Sequence, residues 1–120
     1  MPSRRTPDRA RPAPRVLVVS TTVASKALAD RIARQMVTER LAACAQVQGP
    51  IRSTFHWQGR IEQATEWYCH LKTTSRQVDV LAARIAELHP YEVPEIIAVP
   101  VVAGHTPYLS WIKREVTPTA

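Results

Sequence analysis

Glycine is scarce in this sequence. Only Gly49, Gly59 and Gly104 occur among its 120 residues. A P-loop and a Gly-x-Gly-x-x-Gly dinucleotide fingerprint both need several closely spaced glycines. Nucleotide-binding loops of these two kinds are therefore excluded.

Long apolar runs and paired metal-ligand motifs are also missing. No apolar run approaches the roughly 18 residues of a membrane span, and the N-terminus lacks the apolar core of a secretory signal. Cys44 and Cys69 are the only cysteines, without a Cys-x-x-Cys or His-x-x-x-His pair. We expect no membrane contact and, with no export signal, a cytoplasmic location, where a reducing compartment would keep both thiols free.

Positive charge is present in excess, but it is concentrated at the N-terminus. The net charge is +6, and residues 1–15 supply +4 of it through five arginines against Asp8. Residues 1–14 also contain four prolines and are expected to form a disordered basic tail. A single domain is expected over residues 15–116, followed by a short tail at 117–120.

The first part of the domain alternates between strand and helix patterns. Residues 15–22 form a β-branched run, typical of a strand buried on both faces. Apolar residues then recur at every fourth position, which predicts a helix from residue 24 to about residue 42. Residues 44–74 show two alternating arms around Gln58-Gly59, which predict a long β-hairpin.

The second part predicts a helix, a further strand and a short terminal helix. Thr74-Ser-Arg-Gln77 is typical of a capping box, and His89-Pro90 ends the helix that follows it. Residues 95–102 predict a further strand, and Pro100, which lacks an amide donor, belongs at a sheet edge or at a bulge. Thr106-Pro107 begins a last helix that ends near Glu115. The order βαββαβ plus a terminal helix predicts an α+β, ferredoxin-like fold.

The predicted hairpin is longer than one sheet requires. Each arm has about 14 residues, against a usual strand length of ~5–6. If Trp57 pairs with Ile61, Cys69 lies opposite Gly49 and too far from Cys44 for a disulfide. Arms of this length project beyond their own sheet and need another surface to cover them. We therefore expect a symmetric oligomer.

Candidate catalytic and nucleic-acid-binding groups have simpler interpretations. Glu62, Glu66, Glu92 and Glu95 offer a carboxylate pair, but solvated or ion-paired side chains are the commoner case. His89 either caps the preceding helix or acts as a ligand or hydrogen-bond donor in a cleft. RNA-recognition domains share the βαββαβ order, yet their base-stacking signature is absent from both hairpin arms. We therefore expect neither catalysis nor nucleic-acid binding.

Five motifs in register resemble the CutA divalent-cation-tolerance family over residues 16–115. They are Glu39-Arg-Leu-Ala-Ala-Cys-Ala45, Trp57-Gln-Gly-Arg60, Leu71-Lys-Thr73, His89-Pro-Tyr-Glu-Val-Pro-Glu-Ile96 and Tyr108-Leu-Ser-Trp-Ile112. The resemblance implies a homotrimer whose hairpins cross subunit boundaries, similar to the PII signalling proteins, which bind small ligands in clefts between subunits. It also implies an association with copper or another divalent cation, and no established catalytic activity.

The sequence departs from this family at two positions associated with copper. Some members have a cysteine where Thr21 stands and a histidine where Leu88 stands. His89 is then the remaining candidate metal ligand, and copper sites need several nitrogen or sulfur donors. The matched positions predict a cleft between subunits, for a small anionic or metal-associated ligand, lined by Trp57, Lys72, His89, Tyr91 and Glu95.

Two functional hypotheses follow from the sequence. The first is a non-enzymatic, PII-like homotrimer associated with copper or other divalent-cation tolerance, binding or response. The alternative is a structural or scaffolding trimer, or a small-ligand sensor, with clefts between subunits and no strong metal site.

Overall fold

The structure is a computed structural model that describes residues 13–116. Its strands and helices follow in the order β1 (Val16–Val23), α1 (Lys26–Thr38), β2 (Cys44–Trp57), β3 (Arg60–Thr74), α2 (Val78–Leu88), β4 (Ile96–Pro100) and α3 (Thr106–Glu115). This order confirms the predicted α+β, ferredoxin-like fold. The predicted tails lie, apart from residues 13 and 14, outside the described residues.

The sheet has four antiparallel strands in the order β2-β3-β1-β4. β1 is central, so that Val19 lies opposite Leu71 on one side and Ala98 on the other. β2 and β4 form the two edges, and Pro100 ends β4 at an edge as predicted. Among residues 13–116, no helix combines the length and apolar character needed to cross a membrane.

The main core lies between the sheet and the two helices α1 and α2. Ile32 and Met36 of α1 and Ile85 of α2 are fully buried against Cys69 and Leu71 of β3. The spacing of four residues places the α1 side chains on one face, which the sheet then covers. Burial of each large aliphatic side chain stabilises the fold by about 1.5–3 kcal/mol.

The opposite face of the sheet, here called the outer face, is covered only at one end. Val16 and Ala43 pack there against Ile112 and Val116 at the end of α3. Strand alternation places the remainder of the outer face away from α1 and α2. It includes Val18, Ser20, Tyr68, His70, Lys72, Ile97 and Val99.

The hairpin turn differs from the predicted register by one residue. Trp57 lies opposite Arg60, so the expected pairing with Ile61 is wrong. Gln58 and Gly59 both have positive φ, at 52° and 78°, the backbone of a two-residue hairpin turn.

The turn register and a further register shift between Gln48 and Ile51 together move the partner of the second cysteine by two residues. Cys69 lies opposite Val47 and not, as expected, opposite Gly49. Both cysteines are free thiols in the structure.

Helix α1 is shorter than its apolar pattern predicts. It begins after Ser25, whose hydroxyl caps the helix by accepting a hydrogen bond from the Leu28 amide at 3.2 Å. It ends at Thr38 and does not reach residue 42, because Arg40 adopts a φ of 60° that a right-handed helix excludes.

The capping box predicted before α2 is wrong. Thr74 remains in β3, paired with Val16, and therefore does not start the helix. Gln77 occupies the N-cap position instead and makes no side-chain capping hydrogen bond.

The buried hydroxyl of Thr21 provides a test of packing on the helix side of the sheet. Thr21 is fully buried, and its Oγ1 has no hydrogen-bond partner among the described residues. Thr21→Val keeps the shape and removes the unpaired oxygen, so we expect the free energy of unfolding to rise by about 1 kcal/mol. Denaturant unfolding at equal protein concentration measures the change.

Thr73→Val is the matched control for this substitution. Thr73 is equally buried, but its hydroxyl donates to the Leu41 carbonyl at 2.7 Å. This variant is expected to lower the free energy of unfolding, because the Leu41 carbonyl loses its partner. Equal destabilisation by both substitutions would contradict the structural account.

Candidate functional site

A groove of about 990 Å³ lies between the long hairpin and the segment of residues 91–95. Cross-strand pairs on one face of the hairpin, such as Ile51 with Glu66 and Phe55 with Glu62, line it. Thr22, at the end of β1, lies at its base. The groove therefore forms where the hairpin extends past the four-stranded part of the sheet.

Aromatic side chains supply much of the groove lining. Phe55 and Trp57 come from β2, Tyr68 comes from β3, and Tyr91 comes from the loop after α2. Phe55 is 40% exposed and Trp57 is 39% exposed, although both are large and apolar. Exposed apolar side chains grouped in this way mark a surface suited to binding.

The groove is acidic. Glu62, Glu66, Glu92 and Glu95 line it, and Arg52 is the one arginine or lysine among the described lining residues. A concave surface with charges of one sign concentrates ions of the opposite sign. This charge balance favours a cationic ligand over the anionic ligand considered from the sequence.

Tyr91 and Glu66 join the loop to the hairpin. The Tyr91 hydroxyl donates a hydrogen bond of 2.7 Å to the Glu66 carboxylate, which is itself buried. Burial, followed by this hydrogen bond, raises the pKa of Tyr91 to about 12. The phenol therefore stays protonated at neutral pH and holds the loop against β3.

His89 holds Tyr91 in position through a hydrogen bond and a ring contact. Its Nε2 lies 2.8 Å from the Thr22 carbonyl, and the Tyr91 amide donates to its Nδ1 at 3.2 Å. The carbonyl can only accept, so Nε2 carries the proton and Nδ1 is the acceptor. The two rings also contact each other, with centroids 4.7 Å apart. His89 thus ends α2 and fixes the entry to the loop.

A metal ion within one chain does not fit these contacts. Both ring nitrogens of His89 already have protein partners, so a metal would have to replace one of the two hydrogen bonds. Residues 13–116 contain no group of three or more histidine, cysteine, aspartate or glutamate side chains arranged to hold a metal. Metal ligation by His89 stays a prediction.

Lys72 lies outside the groove lining, on the outer face, where its ammonium hydrogen-bonds to the Gln46 side chain. Next to it, the His70 ring bonds to the Ser20 hydroxyl at 2.8 Å and to the Gln48 amide oxygen at 3.0 Å. Burial, and then the Lys72 charge, lower the pKa of His70, against an opposing effect of Glu95. The outer face therefore carries a neutral, hydrogen-bonded histidine at pH 7.

The structure separates the five predicted site residues. Trp57, Tyr91 and Glu95 line the groove, His89 contacts it through Tyr91, and Lys72 lies elsewhere. The four glutamates among which the sequence offered a carboxylate pair all line the groove. Phe55 was missed, although its position in the alternating arm was a usable signal.

The comparisons with known proteins agree on one family. The chain matches the family described as "CutA1 divalent ion tolerance protein" over residues 17–115. It is 41% identical over 97 residues to the "Divalent-cation tolerance protein CutA" of Thermus thermophilus, a match covering 81% of this chain and 94% of that protein. It is 43% identical over 93 residues to human "Protein CutA", a match covering 78% of this chain but 52% of the human protein. The chain thus spans about half the length of this human relative.

Solved structures give the same result. The crystal structure of CutA from Xylella fastidiosa has a TM-score of 0.82 at 39% identity, covering 85% of this chain and 98% of that one. The crystal structure of CutA1 from Oryza sativa has a TM-score of 0.84 at 32% identity, covering 88% of this chain and 96% of that one.

The contact between Tyr91 and Glu66 predicts a late tyrosine ionisation. The pKa values of Tyr91 and Tyr108 are both raised to about 12. A titration followed by tyrosinate absorbance should therefore show two tyrosines that ionise near pH 12. Tyr91→Phe should remove one of them, and Glu66→Gln should lower the pKa of Tyr91 because it removes the neighbouring charge. A Tyr91→Phe variant that retains both late groups would contradict this assignment.

The same shifts predict how stability changes at high pH. Unfolded tyrosines lose their protons near pH 10, whereas the two folded ones retain theirs to about 12. Their contribution to stability is therefore complete below pH 10 and is lost as the pH rises from 10 to 12. Tyr91→Phe should make unfolding less sensitive to pH in this range.

Proposed function

The chain belongs to the CutA1 divalent ion tolerance family, and on this premise we propose that it is a non-enzymatic homotrimer acting in divalent-cation tolerance. The proposed assembly is PII-like, with the acidic groove at a subunit boundary. The observation that carries this proposal is the hairpin, which extends past the sheet and leaves apolar side chains exposed.

The two edges of the sheet support an assembly of several copies. Ile97 and Val99 on β4 are 51% and 53% exposed, and Ile61 at the hairpin end is 71% exposed. β2 and β4 each present backbone groups without a strand partner within the described chain. Two different edges that pair head to tail generate a ring when the rotation between copies closes, whereas a two-fold dimer needs a self-complementary surface.

The outer face supports a role without catalysis. Ser20 and His70 form a hydroxyl–imidazole pair at 2.8 Å, the arrangement of a nucleophile and a base. Ser20 lies inside β1, however, paired with His70 on β3 and Ile97 on β4. Because β1 pairs with a strand on each side, the backbone amides around Ser20 already donate hydrogen bonds within the sheet. They are therefore not available to stabilise the oxyanion of an acyl-transfer reaction. We therefore interpret this pair as structural.

Copper or another divalent cation is the ligand that we propose for the assembled protein. The four groove carboxylates attract cations, but one chain provides no group of three donors within residues 13–116. A tight site would therefore combine donors from more than one subunit.

The second candidate function is a scaffold or a small-ligand sensor without a strong metal site. It is favoured by the two hydrogen bonds that occupy both nitrogens of His89. In this case the groove binds an organic ligand, and the association with metals is indirect.

We also propose a cytoplasmic location. Two free thiols agree with a reducing compartment, although their separation in the fold keeps them from pairing in any compartment. Relatives are not uniform in this respect, because a rice protein that is 35% identical is named "Protein CutA 1, chloroplastic".

If the trimer forms through the β4 edge, a valine-to-glutamate substitution should disrupt it on β4 but not on α2. Val99→Glu places a charge on the β4 edge and should dissociate the trimer. Val80→Glu, on α2 at 42% exposure, is the matched control and should leave the trimer intact. Sedimentation velocity distinguishes the species. A Val99→Glu variant that sediments like the wild type would contradict the proposed interface.

Copper binding can be tested with the same three proteins. If donors come from several subunits, the wild type and Val80→Glu should bind Cu(II) at a fixed ratio per trimer, and Val99→Glu should not. Equilibrium dialysis against Cu(II) measures the ratio. A wild-type trimer that binds no copper would support the second candidate function.

A further inference from the structure

Glu66 is a buried carboxylate whose charge has no positive partner in the described chain. It is 5% exposed, and its Oε2 accepts the Tyr91 hydroxyl at 2.7 Å. No other hydrogen bond or ion pair of this side chain occurs among residues 13–116. Its Oε1 is not enclosed, since Thr21 Oγ1 is the one enclosed side-chain atom without a partner in that range, so Oε1 opens into the groove that Glu66 lines. Because a buried carboxylate is normally paired with a positive group, the groove contains one half of an ion pair.

The ring of Tyr68 offers a flat surface next to this carboxylate. Tyr68 and Glu66 are two residues apart on β3 and therefore project from the same face of the sheet. The Tyr68 ring stacks on the His70 ring, with centroids 4.8 Å apart and planes at 23°. Since His70 follows Tyr68 along β3, the other side of the Tyr68 ring faces Glu66, and no ring among residues 13–116 covers that side. A planar group can therefore stack there within reach of the Glu66 carboxylate.

His70 holds the Tyr68 ring in place without adding a charge. Its two ring nitrogens bond to the Ser20 hydroxyl at 2.8 Å and to the Gln48 amide oxygen at 3.0 Å. Burial, and then the Lys72 charge, lower the pKa of His70, against an opposing effect of Glu95. The imidazole is therefore neutral at pH 7 and does not repel a cation on the far side of Tyr68.

Guanidinium is the positive group whose shape uses both features. It is planar, it stacks on aromatic rings, and it donates hydrogen bonds to carboxylates from the edge of its plane. An ammonium group is compact and strongly hydrated, and a quaternary ammonium has no N–H donor for Glu66. A metal ion does not stack on a ring, and residues 13–116 contain no group of three donors arranged to hold one.

The rest of the groove suits a small molecule that carries such a group. Glu62, Glu92 and Glu95 also line it, against Arg52 as the one arginine or lysine among the described lining residues. This surplus of negative charge concentrates cations in the groove. Its volume of about 990 Å³ falls within the range of roughly 300–1,000 Å³ that is typical of small-molecule sites.

We propose that the groove binds a small molecule with a guanidinium group, which stacks on Tyr68 and donates to the Glu66 carboxylate. The inference rests on the second candidate function, in which the groove takes an organic ligand, and it names the class of that ligand. The sedimentation and copper measurements described above do not depend on it, so it can fail while the trimer stands.

A titration with L-argininamide tests the ligand class. L-citrullinamide is the matched control, because its neutral urea group has nearly the shape of guanidinium. With the isotope-enriched full chain at pH 7, we expect argininamide to shift the amide signals of Glu66, Tyr68 and Tyr91 and to leave those of α1 unchanged. Its Kd should be about tenfold or more below that of citrullinamide, which lacks the charged hydrogen bond. Tetramethylammonium, a cation without an N–H donor, should bind as weakly as citrullinamide.

Substitutions test the two residues that the proposal assigns to the guanidinium. Glu66→Gln keeps an acceptor for Tyr91 but removes the charge, so the Kd of argininamide should rise about tenfold or more. Tyr68→Leu removes the ring and should raise it about threefold or more. Tyr91→Phe removes the same loop contact but retains the Glu66 carboxylate, and it should leave the Kd nearly unchanged. Glu87→Gln, which removes an exposed carboxylate on α2, is the matched control and should have no effect.

Each outcome of these titrations decides the proposal. Shifts in the groove that are specific to argininamide, and that Glu66→Gln and Tyr68→Leu weaken, support it. Equal binding of argininamide and citrullinamide overturns it, as does an equal loss in Glu66→Gln and Tyr91→Phe. Tighter binding of tetramethylammonium overturns the guanidinium class but leaves the second candidate function, because the groove then takes another organic cation. If another copy covers the groove, argininamide shifts no groove signal, which overturns the inference and leaves the proposed trimer intact.

Discussion

The long pairing of β2 with β3 is the interaction on which the other features of this structure depend. These strands have 14 and 15 residues, whereas β1 has eight and β4 has five. The hairpin must therefore continue past the end of β1 as a two-stranded ribbon, and the described molecule is 59 Å long but only 30 and 28 Å across. The groove, the exposed aromatic side chains and the need for a covering surface all result from this difference in strand length.

A short segment after α2 converts the ribbon into a groove with a defined charge. His89 ends the helix and bonds to the Thr22 carbonyl of β1, while Tyr91 bonds to Glu66 of β3. These two contacts attach residues 91–95 to two neighbouring strands and bring Glu92 and Glu95 next to the hairpin carboxylates. Because His89 has this structural function, its presence in the sequence is explained without a metal ion.

The sequence predicted features that depend on local periodicity better than those that depend on long-range contacts. Alternation in residues 44–74 correctly predicted the long hairpin of β2 and β3. The turn register was off by one residue, because the positive φ of Gln58 is not apparent from its type. Lys72 lies apart from the groove of a single chain, which depends on how residues 91–95 fold back onto the hairpin, so its place in a cleft between subunits stays a prediction. The same fold-back explains why two glutamates of the loop and two of β3 line one groove.

The central claim is that further copies of this chain cover the hairpin and the sheet edges. Native mass spectrometry of the unmodified protein tests it most directly. The account predicts a species of 40.5 kDa, which is three chains of 13.5 kDa, over a wide range of protein concentrations. A spectrum that shows only the 13.5 kDa chain under these conditions would contradict it, because the exposed apolar edges would then have no partner.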